Sequence, residues 1–98
     1  MSYKLIILPY AKLDIKEAAL WYNKKQIGLG KRFLDSITTE IAIIKKNPLV
    51  YEVRYDNVHT ALLATFPYLI HFSIYENVIV IKAVYHTSRN SEIWNQRD

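Results

Sequence analysis

Apolar and polar positions change their period three times along this chain, and each change marks an element. Residues 3–8, Tyr3-Lys4-Leu5-Ile6-Ile7-Leu8, form a short apolar and β-branched run closed by Pro9, which reads as a strand. From Ala11 the apolar positions Ala11, Ile15, Ala18, Ala19 and Tyr22 fall on one helical stripe, with Lys12, Lys16 and Asn23 off it. Asp14 and Glu17 early in that helix and Lys24 and Lys25 near its end complement the helix dipole. Gly28 and Gly30 interrupt the pattern, and Phe33, Leu34, Ile37, Ile41 and Ile44 resume it until Lys45-Lys46-Asn47-Pro48 supplies a strong stop. Two helices joined by so short a link lie antiparallel and need a common surface to cover.

The second half supplies that surface. Residues 58–65, 68–75 and 78–85 read as three successive strands rich in aromatic and β-branched side chains. A two-residue turn at Glu76-Asn77 sets Tyr75 opposite Val78, Phe72 opposite Ile81 and His71 opposite Lys82. In that register Tyr68, Ile70, Phe72 and Ile74 share the helix-covered face with Ile79, Ile81, Ala83 and Tyr85. His71, Ser73, Lys82 and His86 share the reverse face with Leu69, Val80 and Val84. The expectation is an α+β fold of order β-α-α-β-β-β: a two-helix hairpin packed on a twisted, mainly antiparallel four-stranded sheet, with the reverse face suited to docking.

Composition narrows the class without naming it. Ninety-eight residues, 51% of them in the hydrophobic set, make one domain spanning 1–98. The absence of cysteine removes disulfides, thiolate metal sites and a cysteine nucleophile. The apolar stretch before Pro9 is too brief for a signal sequence or a membrane span, so a cytoplasmic protein with no membrane partner is expected. The net charge of +4 sits in the N-terminal half and favours acidic partners.

Candidate chemistry gathers where the last strand ends. The imidazole of His86 and the guanidinium of Arg89 suit proton exchange and anion stabilisation, as phosphodiester cleavage requires. The same two side chains also suit pinning the tail, with Trp94 packed on the sheet rim. Arg54, between Tyr51 and Tyr55, reads either as a nucleotide clamp or as a solvated loop arginine. Trp21 and Tyr22 read as core and core-edge residues. His59, His71 and His86 match no metal-ligand spacing, and no motif calls for a cofactor.

Taken in order, Ala11-x-x-Asp14-Ile15-x-Glu17-Ala18-x-x-Trp21-Tyr22, Gly30-x-x-Phe33, Ile44-x-x-Asn47-Pro48, Phe66-Pro67-Tyr68-x-Ile70, Ala83-Val84-x-His86-x-x-Arg89 and Trp94-x-x-Arg97 resemble the RelE/ParE superfamily of type II toxins. The resemblance covers nearly the whole chain. It implies a small α+β toxin, a plasmid stabilisation protein in type, that is neutralised by a cognate acidic antitoxin and inhibits growth. One branch of the superfamily cleaves mRNA on the ribosome, and the ParE branch poisons DNA gyrase.

The ribonuclease branch typically places basic residues on the second and third strands, at places occupied here by His59, Ala61 and Tyr68, which favours the ParE branch. On the alternative, a metal-independent ribosome-dependent endoribonuclease, Tyr85-His86 resembles a tyrosine-histidine pair used in general acid catalysis. His86 is then the acid, Arg89 and Arg54 hold the phosphate, and Tyr85 stacks on a base. A member that keeps only antitoxin binding is the third possibility. For a docking toxin, His71, Lys82, Trp94 and Arg97 are the expected target-binding residues.

Overall fold

Pro9 ends one element and begins the next. In the computed structural model, which describes residues 3–88, strand β1 (Lys4–Ile7) gives way at once to helix α1 (Pro9–Lys25), with Pro9 in its first turn. A proline is tolerated there because the first N–H groups of a helix have no intrahelical partner. Since the helix starts two residues earlier than the apolar stripe suggests, Asp14 and Glu17 lie beyond its first turn, where the dipole is weak.

Helix α2 (Leu29–Lys46) runs back along α1. Gly28 makes the reversal at φ 92°, in the left-handed region, and donates its N–H to Asn23 Oδ1 at 2.8 Å. Asn47 closes α2, and Pro48–Val50 forms a single 3-10 turn. The Tyr51 hydroxyl after that turn donates to Glu40 Oε2 at 2.8 Å.

The sheet contains β2 (Val53–Tyr55), β3 (Val58–Leu62), β4 (Tyr68–Tyr75) and β5 (Val78–His86) beside β1, in the order β1-β5-β4-β3-β2. Only β1 and β5 pair in parallel. The fold is therefore two helices on a five-stranded mixed sheet, one strand more than expected. The additional strand is β2, which folds onto β3 through Asp56-Asn57, both at positive φ (39° and 63°). Asp and Asn accept that conformation more readily than other non-glycine residues, which lets two residues reverse the chain.

The expected register holds from Tyr75–Val78 to Phe72–Ile81 and then breaks. His71 pairs with Ala83 rather than with Lys82, so β5 carries a one-residue bulge at Lys82. Because side chains alternate along a strand, one extra residue exchanges the faces of everything beyond it. Val84 joins Phe33, Ile70, Phe72, Ile79 and Ile81 in the core under the helices. Ala83 and Tyr85 pack instead with Tyr55 and Leu69 in a second, smaller cluster. The expected places of Ala83, Tyr85, Val84 and His86 are thereby all reversed. The main core is closed at one end by Tyr22 stacked on Phe33, with Phe66 and Tyr68 edge-on around them. Among the described residues no helix is long and apolar enough to cross a membrane.

Candidate functional site

The bulge decides which side chains meet where β5 ends. β5 continues past Ile81, the last residue that pairs with β1, so on the side away from β4 the N–H of Val84 has no strand to bond. Asp14 on α1 supplies the acceptor: Val84 N–H donates to its Oδ2 at 3.0 Å. An otherwise unpaired ladder donor is satisfied in this way from a helix rather than from a strand.

With the faces exchanged, His86 points to the helix side and lines a cleft of about 360 Å³ with Asp14, Glu17, Ala18, Trp21, Tyr68, Val84 and Ser88. The Ser88 backbone N–H donates to His86 Nδ1 at 3.0 Å, and the Ser88 hydroxyl lies 2.8 Å from the same nitrogen. With Nδ1 accepting, the proton of the neutral ring resides on Nε2. The ring also stands edge-on to Tyr68, with centroids 5.2 Å apart.

Asp14, Glu17 and Trp21 recur at i, i+3 and i+7 and so occupy one face of α1. That spacing was present in the sequence, where Asp14 and Glu17 read as dipole partners and Trp21 as a core-edge residue. The indole is instead 53% exposed, and Lys25 Nζ lies 4.9 Å from its ring centre.

The residues expected to act together are separated. Tyr85, next to His86 in sequence, turns to the opposite side of the sheet, where it is buried edge-on against His71. Arg54 is exposed on β2, three strands from β5, a distance of roughly 14 Å at about 4.8 Å per strand. Arg89, Trp94 and Arg97 lie outside the described residues.

The expectation that His71 and Lys82 present a common docking face is also corrected. His71 is wholly buried, with Nδ1 3.1 Å from the Tyr55 hydroxyl. Burial pushes its pKa down to about 4, and the Arg54 guanidinium adds to the shift. Lys82, the bulge residue, is half-buried with Nζ 5.8 Å from the Tyr75 ring centre. His59 is tied elsewhere, its Nδ1 2.8 Å from the Tyr51 carbonyl and its ring stacked on Phe72.

A second concavity, of about 490 Å³, runs along the outer seam of the helix hairpin. Ile15, Ala19, Leu20 and Leu34 line it, together with Lys12, Lys16 and Lys31. Leu34, read from spacing as part of the core stripe, is 42% exposed here. Helix α1 thus presents apolar side chains on two sides, Ala11 and Ala18 inward and Leu13 and Leu20 outward. A helix satisfied by its own fold would need only one such side.

Comparison with known proteins places this geometry. Among curated proteins none matches the chain. Among solved structures, the chromosomal ParDE toxin–antitoxin system from P. aeruginosa contains a chain of the same fold, with a TM-score of 0.78 and 13% identity over 87% of this chain and 96% of that one. An arginine-substituted mutant of the E. coli toxin RelE, in complex with an antitoxin RelBc peptide, is similar with a TM-score of 0.61 and 15% identity over 98% of this chain and 94% of that one. Residues 5–91 match the family model for the ParE toxin of the type II toxin–antitoxin system parDE. With that match spanning both helices and, but for Lys4, all five strands, the chain belongs to the ParE family of type II toxins.

Proposed function

We propose that this ParE-family toxin acts by docking on DNA gyrase, without chemistry of its own, and is held inactive by an acidic antitoxin. The observation that carries this reading is the charge of the cleft around His86. Two carboxylates, Asp14 and Glu17, line it, and no lysine or arginine among the described residues does. A cleaving phosphate develops negative charge that must be met by cations or aimed donors, and losing one such donor costs about 3 kcal/mol in the transition state. Placing carboxylates there works in the opposite direction.

The other positions at which a ribonuclease would carry cations add to the argument. His59 is committed to the Tyr51 carbonyl, Ala61 is buried, and Tyr68 belongs to the aromatic cluster. Tyr85 is likewise buried on the far side of the sheet from His86.

The groove on the helix hairpin supports the antitoxin half of the proposal. An apolar floor beside three lysines suits one face of an acidic amphipathic segment that folds as it binds, with the lysines steering its approach. The E. coli RelE neighbour was solved with a peptide of its antitoxin, which agrees with a protein partner of this kind.

Purified toxin incubated with gyrase, ATP and plasmid DNA is expected to block supercoiling or trap cleaved complexes, and to leave ribosome-bound mRNA intact. Cleavage of that mRNA with gyrase unaffected would overturn the reading. Failure of both assays, with antitoxin binding retained, would identify a member that has lost toxicity.

A further inference from the structure

We infer that the edge strand β2 pairs with β2 of a second copy of this chain, antiparallel and centred on Val53. β2 ends the sheet order, so among the described residues no strand lies beyond it. The Thr60 N–H donates to the Glu52 carbonyl at 3.2 Å, and Val53 stands opposite His59. Peptide groups alternate in direction along a strand, so with the Glu52 carbonyl turned to β3 the N–H and C=O of Val53 face the open edge. Two copies related by a twofold axis at Val53 exchange both of these bonds.

The side chains around that axis complement themselves. Counted from Val53, Glu52 of each copy falls opposite Arg54 of the other, in the non-hydrogen-bonded positions where facing side chains come closest. Both are exposed, and among the described residues neither forms an ion pair within its own chain. Val53 is 51% exposed, and Leu49 and Val50 before it are 70% and 66% exposed, so apolar surface accompanies the open edge. The same charges disfavour an acidic antitoxin here, since a strand of carboxylates sets one against Glu52, whereas the helix groove offers three lysines. The contact is small: the Tyr51 carbonyl is taken by His59 and the β2–β3 register slips after Val53, which confines the pairing to residues 52–54. Three paired residues fall short of the roughly 800 Å² per partner of a standard interface, so the dimer is weak and forms at high concentration. The pairing needs neither gyrase nor antitoxin and stands or falls apart from the function proposed above.

Sedimentation equilibrium of the full-length chain over a wide concentration range, at low salt, tests this. A reversible monomer–dimer equilibrium is expected, weakened at least tenfold by Glu52→Arg and by Arg54→Glu, each of which sets like charges against one another at both pairs. The double variant Glu52→Arg, Arg54→Glu restores it, and so does mixing the two single variants, which then form a mixed dimer. Because both side chains are exposed, circular dichroism should show all variants folded alike. A chain monomeric at every concentration, association indifferent to the single substitutions, or no recovery in the double variant and the mixture overturns the pairing. Antitoxin affinity that falls with Arg54→Glu in a chain that stays monomeric assigns the edge to the antitoxin instead and overturns it too.

Discussion

Asp14 and Val84, seventy residues apart in sequence, are joined by a 3.0 Å hydrogen bond from the Val84 N–H to the Asp14 carboxylate. The bond ties α1 to the part of β5 that outruns β1, two residues beyond the bulge at Lys82. Asp14→Ala leaves a partly buried N–H without this acceptor and is expected to cost about 1–3 kcal/mol. Urea unfolding measures the loss, and hydrogen exchange at the Val84 amide should accelerate. An unchanged Val84 exchange rate would show that the bond does not hold the strand.

Gly30 lets α2 approach the backbone of α1 closely. A Cβ built on it falls 2.5 Å from the Ala19 carbonyl oxygen, a backbone atom that cannot swing aside. Gly30→Ala should therefore destabilise the hairpin by roughly 2–3 kcal/mol through overpacking, despite the gain in helix propensity. Gly28→Ala has open space around it and is strained only by its φ of 92°, so about 1–2 kcal/mol is expected. Denaturation midpoints of the two variants give the comparison.

His71 makes stability depend on pH. Its folded pKa of about 4 lies below the usual 6.5, so between those values the unfolded chain binds a proton that the folded chain does not. Stability from this group is therefore greatest above pH 6.5, falls as the pH is lowered toward 4, and levels off below that. The whole change approaches about 3 kcal/mol. Unfolding free energies at pH 7, 5.5 and 4 should fall less steeply for His71→Gln than for the native chain, even if the variant is less stable throughout.

Leu34 lines the groove proposed for the antitoxin and is half-exposed there. Leu34→Glu adds a negative charge beside an acidic ligand without entering the core. It should weaken antitoxin binding tenfold or more, with little change in melting temperature. Calorimetric titration with the cognate antitoxin checks this, and unaltered affinity would move the docking site elsewhere.

His86 offers the simplest division between docking and catalysis. Its Nδ1 is engaged by Ser88, and among the described residues the cleft around it offers carboxylates rather than cations to a phosphate. Inducible expression of His86→Ala should arrest growth as fully as the native chain does. A loss of toxicity with folding retained would return the histidine to the mechanism.

Much of the framework was legible because it depends on neighbours in sequence. The stripe from Ala11 to Tyr22, the break at Gly28 and the stop at Asn47-Pro48 delimit the hairpin, and the Glu76-Asn77 turn sets the register of β4 and β5 as far as Phe72–Ile81. Strand β2 was less visible: it has three residues, and its turn at Asp56-Asn57 contains no glycine to mark the positive φ.

The sequence by itself determined the order of elements, the antiparallel helices and the apolar layer they cover, since period and turn chemistry act within a few residues. Only the tertiary structure decided the faces of β5 beyond Ile81. Whether the strand runs straight or gains a residue there is settled by which distant groups pair with its backbone: β4 on one side and the carboxylate of Asp14 on the other. That choice sends His86 toward Asp14, Glu17 and Trp21, and Tyr85 into the cluster beside His71, because a shift of one residue turns every later side chain through the sheet.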